Sequence, residues 1–245
     1  MLPAETERVW NFCKQQPALA GFVLVGGSAL ALQIGHRLSE DLDMAWPELR
    51  LPRARLDTLR RAASAMGFDF QLEDDEATVQ EFVNAGLDVH DYHQNYLVNG
   101  KVRVSFFAPE TPLAKVLQSP PLPTVRVASL AELFKAKCLV SAQRSKTRDW
   151  LDLYLLLREH GFTICDYRAA FAEAGVHSQC DTGLSRLCAG VPQKDDEGYA
   201  HLLPNPPTLA EMKAFFVAQR DQLEIELASE AFRQGQQPPG HRPLP

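Results

Sequence analysis

The sequence predicts an α+β fold: a mixed β-sheet flanked by helices over residues 1–110, a helical bundle over 111–233, and a disordered tail over 234–245. Three observations predict it. Apolar residues alternate in strand fashion in much of the first half and recur at helical spacing in the second. Asn99-Gly100, the strongest hairpin signal in the chain, sits between two alternating runs. Pro109, Pro112, Pro120, Pro121 and Pro123 then mark the exit from strand-rich sequence.

Taken in order, Thr6 to Gln15 reads as an amphipathic helix, and Pro17 separates it from a buried strand over Gly21 to Val25. A helix from Ser28 to Ile34 and a strand around Asp41 to Ala45 follow. Pro52, with Leu56, Leu59, Ala62, Ala63 and Met66 at helical spacing, predicts a third helix that Gly67 ends. Phe68 to Leu72 alternates as a half-buried strand, and further strands are expected around Val79 to His90 and Tyr96 to Val98. After the hairpin, Val102, Val104 and Phe106 alternate on the returning strand. Beyond the prolines, Ser129 and Glu132 form an S-x-x-E capping box that opens a helix, and Asp149 to Leu157 predicts another, ending at Gly161. Asp166 to Glu173 and Leu209 to Phe232 complete the helical bundle; the Pro- and Gln-rich composition from Gln234 predicts disorder.

The segment from Leu24 to Met44 carries the chemistry. Leu24-Val25-Gly26-Gly27-Ser28 runs a buried strand into a glycine turn and a helix start, and Asp41-Leu42-Asp43 then presents two carboxylates at alternate strand positions. Residues i and i+2 of a strand share a face, so Asp41 and Asp43 project together while Leu42 turns inward. Two such charges repel, and a shared hard cation such as Mg²⁺ relieves them. Glycine lets backbone approach an anion, the Ser28 hydroxyl can add a donor, and the free N–H groups of the helix start add partial positive charge. Gly-Gly-Ser also serves as an ordinary tight turn, and Asp-x-Asp as a solvated strand edge. Their order and spacing together favour a site for a metal-bound triphosphate. The run matches neither G-x-G-x-x-G nor G-x-x-x-x-G-K-[ST].

These residues carry a resemblance. Val25 to Leu32, then Gly35-His36-Arg37-Leu38-Ser39-Glu40-Asp41-Leu42-Asp43, resembles the signature of the AbiEii/AbiGii nucleotidyltransferases of the DNA polymerase β superfamily. A second block, Lys137-Cys138-Leu139 and then Arg144 to Tyr154, is similar to that family's later helical motif, and the likeness spans roughly residues 20 to 160. The resemblance implies a nucleotidyltransferase fold whose helical domain completes the active site. It also implies the toxin half of a toxin–antitoxin pair, with an antitoxin protein as a possible partner. It matches Asp41 and Asp43 to the first two of three superfamily carboxylates, Lys137 to a functional lysine, Asp152 to a catalytic aspartate, and His36 and Arg37 to residues lining a nucleotide pocket. The strand expected to bring the third carboxylate reads Val102-Arg103-Val104-Ser105-Phe106, with Ser105 in its place. Asp149 or Asp152 could supply the missing charge, or a single metal could suffice.

Lys137 suits a phosphate contact, since an ammonium neutralises triphosphate charge; a lysine lying along an amphipathic helix is the ordinary alternative. Arg144, Lys146 and Arg148 could steer nucleotide or RNA, or form an exposed basic turn. His36 reads as structural rather than catalytic, and Ser39 and Glu40 as residues that shape the turn before Asp41. His90 and His93 would face opposite sides of a strand, which argues against a shared metal.

Composition sets the remaining bounds. At 245 residues with 45% hydrophobic content the chain can bury a core, and a net charge of −6 excludes nucleic-acid binding over the whole surface. Locally, seven basic residues face four acidic ones from Arg126 to Glu159, which suits a polyphosphate. Five cysteines show no C-x-x-C pair. The apolar stretch Ala18 to Ile34 is short and broken by Gly26-Gly27-Ser28, so a cytoplasmic protein without a membrane span is expected. The expected activity is Mg²⁺-dependent transfer of NMP from an NTP to an acceptor hydroxyl, with RNA such as a tRNA end, or a protein, as acceptor. The alternatives are a catalytically silent nucleotide-binding or partner-binding module on the same scaffold, and a phosphotransferase.

Overall fold

The computed structural model describes residues 1–235. From residue 236 onward, the expected tail lies outside the described residues. Helix α1 (Ala4–Cys13) buries Val9, Trp10, Phe12 and Cys13, and a 3-10 turn at Pro17–Leu19 leads to strand β1 (Val23–Val25). All three residues of β1 are buried, as an unbroken apolar run in a central strand should be. Helix α2 (Gly26–Ile34) follows without a gap, so the two glycines form its first turn, and Gly35 ends it in the left-handed region at φ 61°. Strand β2 (Leu42–Ala45) comes next, and helix α3 (Arg53–Ala65) seats Leu56, Leu59 and Ala63 in the core.

Strand β3 (Phe70–Leu72) precedes helix α4 (Glu76–Asn84), which corrects the strand expected around Val79 to His90. The Asp75 side chain accepts the Thr78 N–H and caps the helix, and none of its residues is fully buried. With no sheet neighbour to take Val79 and Val83, local capping decides. Phe82 packs against Tyr92 instead, the rings tilted by 45° with centroids 5.7 Å apart. After a 3-10 turn at Val89–Asp91, strands β4 (His93–Val98) and β5 (Val102–Phe107) form the expected hairpin, with Asn99 and Gly100 at φ 52° and 65°. Positive φ at both central residues is what a tight hairpin turn with native twist requires.

The short helix α5 (Thr111–Val116) and the prolines do not end the sheet. Strand β6 (Arg126–Val127) returns to pair in parallel with β1. The sheet order is β3-β4-β5-β2-β1-β6, mixed as expected: β1 and β2 are antiparallel, β2 and β5 parallel, and β3, β4 and β5 an antiparallel meander. Helices α6 (Leu130–Gln143), α7 (Thr147–Glu159), α8 (Ile164–Ala174), α9 (Gln179–Ala189) and α10 (Leu209–Gly235) complete the described chain, with a 3-10 turn at Ala200–Leu202. Helix α6 packs on α2 and also on α7, α8 and α9, so it joins the sheet layer to the bundle. The largest fully buried side chains come from both layers, Phe22 and Phe106 from the sheet side and Phe134, Trp150, Tyr167 and Phe171 from the helices. No helix among the described residues is long and apolar enough to cross a membrane.

Candidate active site

A cleft of about 1010 Å³ opens between one face of the sheet and helices α5 to α7. Its floor is set by register. Val25, Asp43, Ser105 and Asn95 lie opposite one another across β1, β2, β5 and β4, and paired residues point to the same side of a sheet. Val25, Gly26, Asp43, Ser105, Phe107 and His93 line the cleft from the sheet; Lys137, Arg144 and Asp149 line it from the helices.

Gly26 has a physical reason to be glycine. Its φ is +72°, and a Cβ there would stand 2.5 Å from Asp43 Oδ2. A Cβ on Gly27 would stand 2.5 Å from Arg37 Nη2 and 2.8 Å from Ser39 Oγ. The glycine pair thus brings the start of α2 against the Asp43 carboxylate on one side and the buried Arg37 on the other. Ser28 is fully buried. Its hydroxyl donates to the Asp41 carbonyl and lies 3.1 Å from Ser39 Oγ, so it fixes the entry to β2 and does not face the cleft. Thr6 on α1 donates to the Glu40 carbonyl at 2.9 Å and holds the same turn from outside.

Behind the cleft wall runs a chain of charges, buried as far as Asp149 and ending at the exposed Arg144. Arg37 donates from Nε to Asp152 Oδ1 at 2.7 Å and from Nη2 to Oδ2 at 3.1 Å. His36 Nε2 lies 2.7 Å from the same Oδ1. Lys137 Nζ lies 2.6 Å from Asp152 Oδ2 and 2.7 Å from Asp149 Oδ1, and Arg144 Nε donates to Asp149 Oδ2 at 2.7 Å. Asp149 and Asp152 are three residues apart on α7, hence on one face, which lets both reach Lys137. Burial works against every charge in this chain. For Asp152 the Lys137 and Arg37 charges outweigh it and hold the carboxyl well below its ordinary range; Lys137 and Arg144 do the same, less strongly, for Asp149. Burial would lower Lys137, but Asp149 and Asp152 outweigh it and raise its pKa. His36 is lowered by burial, only partly offset by Asp152, so its ring is neutral at pH 7 and donates through Nε2; its Nδ1 has no partner.

Asp43 is different. Burial and the nearby Asp41 charge push it up to about 6, against the opposing pull of Lys137 and Arg144. A carboxyl whose charge the protein leaves undercompensated, beside two cations already committed to Asp149 and Asp152, accommodates a divalent ion.

Of the sequence-predicted residues, Asp43, Gly26, Lys137 and Arg144 share the cleft. Asp41 is exposed, one residue before β2, near enough to Asp43 to raise its pKa. Asp152, His36 and Arg37 sit in the buried network and touch the cleft only through Lys137. Arg148 donates to the Gly198 carbonyl at 3.0 Å, and Lys146 pairs with Glu197 at 2.9 Å, so the acidic loop Asp195-Asp196-Glu197 covers this end of the basic turn. Sequence reasoning missed His93, Asn95 and Phe107 on the cleft side of the sheet. The alternation His93, Asn95, Leu97 is the available signal, since residues i and i+2 of a strand share a face. His90 stands on the 3-10 turn, bound to Asp74 at 3.0 Å.

The donor set fits one Mg²⁺. Among the described residues no group of three or more His, Cys, Asp or Glu side chains is placed to hold a metal. Two carboxylates at i and i+2, with Gly26 leaving room beside Oδ2, suit an ion that takes one or two protein carboxylates and completes its shell with water and phosphate oxygens. Asp41 and Asp43 are the residues that would hold it.

A family model described as nucleotidyl transferase AbiEii toxin, type IV TA system, matches residues 13–242. Among solved structures, a "putative nucleotidyltransferase" from H. pylori superposes with a TM-score of 0.51 at 19% identity, over 90% of this chain and 95% of that one. JHP933 from Helicobacter pylori superposes with a TM-score of 0.50 at 18% identity, over 96% and 100%. These likenesses establish the fold. An uncharacterized protein of Aquifex aeolicus, aq_aa25, is 25% identical over 143 residues, 58% of this chain. The match spans 61% of that relative's length.

Proposed function

Since the chain belongs to the family of nucleotidyl transferase AbiEii toxins, we propose that it transfers a nucleoside monophosphate from an NTP to an acceptor hydroxyl. One observation carries the reading: Asp43, its carboxyl raised to about 6, faces the same cleft as Lys137 and Arg144, with Gly26 packed against it. Bound at Asp41 and Asp43, Mg²⁺ would neutralise charge on the triphosphate. Arg144 and Lys137 offer positive charge to the phosphates from the opposite wall, and Asp149 keeps both cations in place. Asp152, Arg37 and His36 act behind them as positioning residues, since none of the three lines the cleft. Gly27 and Ser28 shape the turn that aims Asp41, and Arg148 anchors the acidic loop. The acceptor oxygen attacks the α-phosphorus as pyrophosphate leaves, and Phe107, Leu113 and Leu133 give the cleft an apolar part. RNA, such as a tRNA end, or a protein side chain is the acceptor class, in the cytoplasm, as the toxin of a toxin–antitoxin pair.

Purified protein incubated with Mg²⁺, total RNA or protein extract, and each NTP labelled at the α-phosphate tests this. Label is expected in a macromolecular acceptor, absent with Asp43→Asn. Label from the γ-position alone would instead indicate a phosphotransferase. The second reading, a nucleotide-binding module without catalysis, is favoured by Ser105 in the place of a third carboxylate. It predicts Mg²⁺-dependent NTP binding with no pyrophosphate release.

A further inference from the structure

We propose that His93, set beside Asn95 and packed on Phe107, is the general base of the transfer reaction, at a site where Ser105 and not a carboxylate is the register partner of Asp43. The proposal rests on the nucleotidyl-transfer reading above. Three observations carry it. First, Ser105 is the direct register partner of Asp43 on the parallel neighbour β5, and Asn95 is in turn the partner of Ser105 on β4. Second, the Ser105 hydroxyl donates to Asn95 Oδ1 at 2.8 Å, and His93 stands two residues from Asn95 on β4, so both side chains project to the cleft side of the sheet. A neutral imidazole leaves one ring nitrogen unprotonated. Third, His93 and Ser105 line the same cleft as Asp43, and the edge of the imidazole packs on Phe107, centroids 6.3 Å apart.

The arrangement meets the requirements for a base. A neutral imidazole that reaches solvent accepts a proton at its unprotonated nitrogen, directly or through one water. His93 is exposed, unlike His36, so an acceptor can approach it. Burial of part of the ring lowers its pKa below the ordinary histidine value, with the neighbouring Asn95 side chain partly offsetting this, so the ring is unprotonated at pH 7. The charged groups facing the cleft are Asp43 on β2, Glu110 before α5, Lys137 on α6, Arg144 after it and Asp149 on α7. None of them bears on the imidazole pKa. In the step itself, the acceptor O–H bond breaks and its proton passes to the open ring nitrogen. The oxygen forms a bond to the α-phosphorus, and the bond from that phosphorus to the pyrophosphate oxygen breaks, with the electron pair leaving on pyrophosphate.

The test is single-turnover NMP transfer at saturating Mg²⁺ and NTP, with wild type, His93→Ala and His93→Gln, and with NTP affinity and thermal midpoint measured alongside. Removing a general base lowers such a rate by about 10²- to 10⁴-fold. The expected result is a loss in that range in both variants, with NTP affinity and midpoint unchanged. Added imidazole should rescue His93→Ala, with a rate that rises with pH through the pKa of the added base. Transfer by His93→Ala at the wild-type rate, or a loss that comes with lost NTP binding and no imidazole rescue, overturns the proposal and leaves nucleotidyl transfer standing. Absence of transfer by wild type in the presence of bound MgNTP overturns both, and is told apart by that control.

Discussion

Asp43 and Asp152 are both aspartates in a charged neighbourhood, and the structure gives them opposite roles. Asp152 is fully buried against Arg37, His36 and Lys137. Asp152→Asn leaves two buried cations short of a counter-charge, and should cost about 3–5 kcal/mol of stability, read by urea unfolding. Asp43→Asn removes a carboxyl that folding already disfavours as an anion, and should leave stability unchanged or raised at pH 8 while abolishing Mg²⁺ binding. The pH dependence follows from the sign of the shift. A folded pKa raised to about 6 means the relative stability is present below the ordinary aspartate value and lost as pH rises through 6. Mg²⁺ bound at Asp43 would offset that loss, so its stabilising effect in thermal unfolding should be larger at pH 7.5 than at pH 5.5. An equal effect at both would show that Asp43 does not hold the ion. Asp43, Lys137 and Arg144 were legible in the sequence because charge and spacing declare them. That Asp152 stands behind Lys137, and that Ser28 is spent on the Asp41 carbonyl, was not, since both depend on contacts across more than ten residues of chain.

At the scale of elements, Glu132 shows why the sheet continues past its proline-rich exit. It closes the capping box of α6 with Ser129, accepts two bonds from Arg126 of β6 at 2.8 and 2.9 Å, and accepts the Ser119 N–H at 2.9 Å. One carboxylate thus ties the connection, the edge strand and the helix that supplies Lys137. Burial alone would raise its pKa, but Arg126 and the Ser119 and Ser129 N–H groups outweigh burial and hold it at about 2. Its contribution is present above the ordinary glutamate pKa and lost as pH falls towards 2. Glu132→Gln should lower stability at pH 7 by about 3 kcal/mol and flatten acid unfolding between pH 4.5 and 2. The capping box was plain in the sequence, because S-x-x-E has a local mechanism. Strand β6 was not, because two residues carry no alternation and gain their pairing only from β1. The misread α4 has the converse cause: Val79 and Val83 gave an apolar signal, but no strand lies beside them to pair with.

For the whole molecule, function depends on two layers meeting. The sheet brings Asp43, Ser105 and His93 to one face, and α6 and α7 carry the cations to the opposite wall through an Arg37–Asp152–Lys137–Asp149–Arg144 chain that is buried as far as Asp149. On the proposed reading, a triphosphate and its counter-ion would need both walls. The α+β class, its strand-then-helix order and the carboxylate pair were written in local pattern; the cleft itself was not, because it exists only where α6 packs across α2. Crystals grown with Mn²⁺ and a non-hydrolysable NTP analogue test this joint arrangement most directly, since Mn²⁺ reports its position by anomalous scattering. The predicted result is a single Mn²⁺ between Asp41 and Asp43, with the triphosphate reaching from it towards Lys137 and Arg144. Nucleotide bound outside the cleft, or Mn²⁺ bound away from both carboxylates, would contradict it.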